Sequence, residues 1–182
     1  MKQKQKITNK IILLVCLIFA LTLCSCGGNM TDESVRQELE RLLPLSYEMN
    51  EIFWGEGLEV KESTSGLKYV PVTDECEYKS TEEILQKASE VFSKDYLDNI
   101  KEAIFTDTDD IDPRYIDTDG ILKADKSNKG FDIQGNVVIE SAVIKKQNRG
   151  MVIVYVEHED GGKNEITLVL QDGKWYIDSP TY

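Results

Sequence analysis

Six carboxylates fall within thirteen residues: Asp107, Asp109, Asp110, Asp112, Asp117 and Asp119, opposed only by Arg114. Acids this dense do one of three things. They converge on a hard cation, they sit solvated, or they meet a basic surface on another molecule. Alternating acids suit Ca²⁺, but the EF-hand spacing fails. With Gly120 as the sixth loop residue, Tyr115 stands where the first Asp belongs and Lys126 where the bidentate Glu belongs. A metal is therefore not assigned, although an irregular cation site stays open. Packed like charges oppose compaction, and loops carry function. The leading expectation is a negative finger for a basic cleft, with Tyr115 as its apolar anchor among Ile111 and Ile116.

Cys76 and His158 are the one thiol–imidazole pair available once the N-terminal segment is set aside. Asp74, Glu75 and Glu77 surround Cys76, and such neighbours raise a thiol pKa and blunt it as a nucleophile. His158 precedes the Asp160-Gly161-Gly162 turn, at the tip of an expected hairpin. The chain carries no Gly-rich phosphate loop, nucleophile elbow or metalloprotease helix. It reads as a binding protein without a cofactor, not as an enzyme.

Charge narrows the partners. With 21 basic and 33 acidic residues among 182, the formal net charge is −12. Phosphate-backbone binding needs clustered cations, so nucleic acid is not expected as a partner. Net charge also disfavours electrostatic docking on anionic lipid or wall polymers.

The N-terminus reads as an address. Lys2, Lys4, Lys6 and Lys10 precede an apolar run from Ile11 to Cys24, too short to span a bilayer but long enough for a signal core. Leu23-Cys24-Ser25-Cys26 resembles the bacterial lipoprotein signal box, which implies a diacylglycerol on Cys26 and cleavage before it. Losing residues 1–25 removes four lysines and no acid, leaving 17 basic against 33 acidic residues, net −16. Residues 1–25 are then a signal peptide, 26–30 a lipidated tether and 31–182 one domain. Only Cys76 remains as a thiol, so no internal disulfide forms and the core must hold the fold.

The elements that must position these groups follow from periodicity. Val35, Leu39, Leu42 and Leu43 recur at helical spacing after Thr31, until Pro44 is expected to break or kink the run before Met49, Ile52 and Phe53. Trp54 should be core, as should Trp175 and Ile177. Leu67–Val72 suits an edge strand, because Pro71 lacks a ladder donor. Ser80 and Ser93 each cap a helix. Thr106–Gly120 reads as irregular. Beyond Ile121 the period becomes two, with turns at Asn148-Arg149-Gly150, Asp160-Gly161-Gly162 and Asp172-Gly173. The fold class expected is α+β, with N-terminal helices packed on a curved antiparallel β-meander. No coiled-coil seam is present, and a monomer is expected.

Four strings then carry a resemblance: Ile52 to Leu58 (IFWGEGL), Ser80 to Tyr96 (STEEILQKASEVFSKDY), Tyr115 to Leu122 (YIDTDGIL) and Asp172 to Ile177 (DGKWYI). Together, across residues 35 to 180, they resemble the DL-endopeptidase inhibitor family. The last string also resembles cystatin-like and NTF2-like bacterial lipoproteins. The first resemblance implies a secreted protein that blocks the groove of NlpC/P60-type peptidases, which cleave peptidoglycan. A lipid on Cys26 departs from free secretion and restricts such an inhibitor to enzymes near the membrane. The alternative is a cystatin-like or NTF2-like lipoprotein that binds a small ligand or a neighbouring envelope protein.

Overall fold

Thr31 starts the first helix. Its hydroxyl accepts from Ser34 N, and the Ser34 hydroxyl accepts from Thr31 N, so two donors that no helical carbonyl reaches are satisfied. In the computed structural model, which describes residues 29–62, 66–108, 111–131, 133 and 136–182, helix α1 runs over Asp32–Phe53. It continues unbroken through Pro44, where a break or kink was expected. Pro44 is exposed, while Leu39, Leu42, Leu43, Met49, Ile52 and Phe53 on both sides of it are buried. Burial at about 1.5–3 kcal/mol per large apolar side chain outweighs the roughly 3 kcal/mol that an interior proline costs.

Two further helices are capped as expected. Ser80 accepts from Glu83 N ahead of α2 (Thr81–Ala88), and Ser93 accepts from Tyr96 N ahead of α3 (Lys94–Phe105).

The strands depart from a single curved meander. They form two separate open antiparallel sheets, so the α+β class stands but the cystatin-like or NTF2-like arrangement does not. The smaller sheet has the order β1-β3-β2, from β1 (Tyr69–Pro71), β2 (Tyr115–Thr118) and β3 (Ile121–Asp125). Its strand β2 lies in the stretch that reads as irregular. Aspartates hide the alternation there, and a left-handed Asp119-Gly120 turn (φ 56° and 73°) folds β2 back on β3. Pro71 does lie on an edge strand.

The larger sheet is β4 (Val137–Asn148), β5 (Met151–His158), β6 (Lys163–Gln171) and β7 (Lys174–Ile177), in chain order. Val152, Val154, Val156, Ile166, Leu168, Trp175 and Ile177 form its buried face. Each edge takes hydrogen bonds from outside the sheet. Ile177 exchanges backbone hydrogen bonds with Val91 and Ser93 (2.9 and 2.8 Å), and Arg41 Nη2 donates to Trp175 O at 2.9 Å. At the other edge, Asp32 Oδ1 accepts from Ile144 N at 2.8 Å.

Candidate functional site: an acidic turn and its scaffold

Between α3 and β2 the chain makes a loop closed at its base by Arg114 N, which donates to Ile104 O at 2.8 Å. Nearer its tip, Thr108 N donates to Ile111 O, and Ile111 N donates to Thr108 Oγ1, both at 3.1 Å. Ile111, 56% exposed, is therefore held out to solvent beside the exposed carboxylates of Asp107 and Asp112. Lys68 ties this turn to β1. Its ammonium pairs with Asp112 and lies 3.6 Å from the buried Asp125 carboxylate. The Asp112 carboxylate, by this hydrogen bond, raises the Lys68 pKa above its ordinary value. Tyr69 Oη donates to Pro113 O at 2.8 Å, and burial pushes its phenol upward.

Only part of the expected site is assembled here. Asp109 and Asp110 lie outside the described residues, as do Cys26 and the signal segment. Asp107 and Asp112 belong to the turn. Asp117 serves elsewhere, accepting from Thr81 N at 3.1 Å and Thr81 Oγ1 at 2.6 Å beside the start of α2. Asp119 shapes the β2–β3 turn.

Tyr115 must be corrected. It is 1% exposed, and its Oη donates to Ile52 O at 2.8 Å while accepting from Leu58 N at 3.0 Å. A ring packed against Phe105 with its hydroxyl used twice cannot reach a partner. The exposed apolar group of the turn is Ile111 instead.

Arg114 was legible only as the lone cation among the acids. It is 4% exposed and donates to Phe53 O at 3.2 Å and Gly55 O at 2.5 Å, at the C-terminal end of α1. That clamp, with Tyr115, joins the first resemblance string to the third. Ile177 joins the second to the fourth through Val91 and Ser93. These contacts give all four strings a part in holding the fold. Trp54 caps α1 half-buried rather than within the core.

Cys76 lies half-buried in the β1–α2 loop, whereas His158 ends β5 and its backbone N donates to Gly162 O. No hydrogen bond joins their side chains among the described residues. No group of three His, Cys, Asp or Glu converges as metal ligands among those residues either. The clefts present are lined by charges of both signs, as in one of about 630 Å³ between Glu38, Arg41, Glu90, Lys174, Trp175 and Tyr176. No family model matches the chain, and no curated protein matches it.

Proposed function

We propose that the protein is a lipid-anchored extracytoplasmic inhibitor of a cell-wall DL-endopeptidase of the NlpC/P60 type. The Asp107–Asp112 turn is the part that enters the enzyme's groove. One observation carries this reading: an exposed Ile111 fixed by its own hydrogen bonds beside exposed carboxylates. Hydrogen bonds that already join Thr108 to Ile111 limit the entropy lost on docking, and the exposed carboxylates of Asp107 and Asp112 steer this part of the chain toward a basic groove. The resemblance supplies the enzyme class, and the turn supplies a contact of suitable chemistry.

The full chain in neutral detergent, added to such an enzyme digesting peptidoglycan at low and high salt, tests it. Inhibition that weakens as salt screens the carboxylates is expected. Undiminished digestion by several enzymes of this type would reject the reading and favour a non-inhibitory envelope partner.

A further inference from the structure

The surroundings of the two ends of α1 differ in charge. At its N-terminal end, Met30 N donates to Gln147 Oε1 at 2.9 Å and Gln147 Nε2 donates to Met30 O at 3.2 Å. The start of the domain is thereby fastened to the last residues of β4. Register brings more of the large sheet to the same end. Asn148 pairs with Met151, Met151 with Val169 and Val169 with Tyr176, so the turns at 149–150 and 172–173 lie side by side. Leu170 N donates to Gly150 O at 2.8 Å between them.

Exposed Lys146, Arg149 and Lys174 gather at this end, and none makes an ion pair among the described residues. The acids nearby are largely engaged. Glu33 pairs with Arg36, Asp32 accepts from Ile144 N, Glu165 pairs with Lys145, and Asp172 sits in its turn, while Glu38 and Glu90, which share a cleft with Lys174, pair with Arg41 and Lys87. The opposite end of the sheet has the reverse character, with Glu157, Glu159 and Asp160 around the β5–β6 turn and Lys163 paired to Glu157.

Across the molecule, the other end of α1 lies about 33 Å away at the helical rise of 1.5 Å per residue. There Phe53 meets Phe105 edge-on at 6.0 Å, and Arg114 clamps the base of the acidic turn.

We propose that the end bearing Lys146, Arg149 and Lys174 rests on anionic phospholipid head groups. Helix α1 then stands away from the bilayer and carries the acidic turn outward. This rests on the lipid-anchor reading. Four residue steps lead from Cys26 to Met30, with Gly27, Gly28 and Asn29 between, and extended chain covers at most about 14 Å over that length. An acylated Cys26 therefore keeps the Gln147 end, and no other, at the head groups. The net negative charge opposes anionic lipid, but beyond a screening length of about 8 Å at physiological salt it is weakly felt. The cations nearest the surface set the orientation.

The two tryptophans stand apart along α1, Trp175 beside Lys174 with its carbonyl held by Arg41 in the first half of the helix, and Trp54 at the helix C-cap. The lipidated full chain is placed in vesicles of equal parts phosphatidylcholine and phosphatidylglycerol bearing a dansyl head-group acceptor. Energy transfer in the Trp54→Phe variant, which reads Trp175, should be several-fold more efficient than in Trp175→Phe, which reads Trp54. Joint Lys146→Glu, Arg149→Glu and Lys174→Glu substitution should shrink that difference. Equal transfer, or stronger transfer from Trp54, on chain that floats with the vesicles overturns the orientation and leaves the anchor standing. Chain that does not float overturns the anchor and the orientation with it. Hydrogen exchange on the unsubstituted chain decides the matter should a tryptophan variant not fold. Slowing at residues 146–150 and 172–174 supports the orientation, and slowing at 107–112 or nowhere overturns it.

Discussion

The Arg114 guanidinium donates to the Gly55 carbonyl at 2.5 Å and sits 4% exposed, with no carboxylate paired to it among the described residues. Its charge is met by the negative end of α1, where carbonyls have no helical donor. The lone cation of the acidic stretch thus turns inward and anchors that stretch to the helix.

Removing it should loosen both. Arg114→Met leaves the Phe53 and Gly55 carbonyls without their charged donor, at a cost of about 2–3 kcal/mol. A lower urea midpoint at unchanged slope would show it, and Arg114→Lys should recover only part because it lacks the planar fork. An unchanged midpoint would mean the clamp is not needed.

Gly57 lies beneath that clamp. At φ +81° an added Cβ would stand 2.5 Å from Arg114 Nη2 and 2.7 Å from Tyr115 Oη. Gly173, at φ +79°, has nothing within 4 Å of the same atom. Both alanine variants share the left-handed penalty, so their difference isolates the clash. Gly57→Ala should unfold at least about 1 kcal/mol more easily than Gly173→Ala. Equal losses would show that Arg114 and Tyr115 move aside freely.

The turn and its support should separate on mutation. Tyr115→Phe strips a hydroxyl bonded at both faces and should cost about 1–2 kcal/mol of stability while leaving inhibition of the peptidase intact. Ile111→Ser should do the opposite, weakening inhibition about tenfold, near 1.4 kcal/mol, with the urea midpoint unmoved. Inhibition that follows Tyr115 rather than Ile111 would restore the tyrosine to the interface.

Alkali should unfold the chain through its tyrosines. Burial pushes the phenols of Tyr47, Tyr69, Tyr78, Tyr96, Tyr115 and Tyr182 upward from their ordinary value. Below the unfolded value of about 10, all are neutral in both states and the native preference is fully expressed. Above it, the unfolded chain releases protons first and stability falls with rising pH. Phenolate absorbance from these residues should grow together with loss of circular dichroism. Smooth titration without unfolding would refute this.

Local patterns in the sequence were enough for the capped helices, the edge strand with Pro71 and the three glycine turns of the large sheet. Each depends on neighbours within about five residues, which is the reach of a side chain to its own backbone. What ran past that reach was decided in three dimensions. Pro44 stays helical because apolar groups on both sides of it bury together. β2 pairs with β3 although aspartates mask its alternation, so two open sheets replace one curved meander. Tyr115 and Ile111, four residues apart in the same acidic stretch and both expected at the contact, part ways: the tyrosine is buried and the isoleucine exposed. The end of α1 leaves carbonyls in need of donors, and the tyrosine hydroxyl and the arginine fork reach them, drawing Tyr115 inward. Ile111, whose hydrogen bonds among the described residues all go to Thr108, is left in water. Burial is a property of what the rest of the chain brings near, and nothing in residues 107 to 119 alone records that.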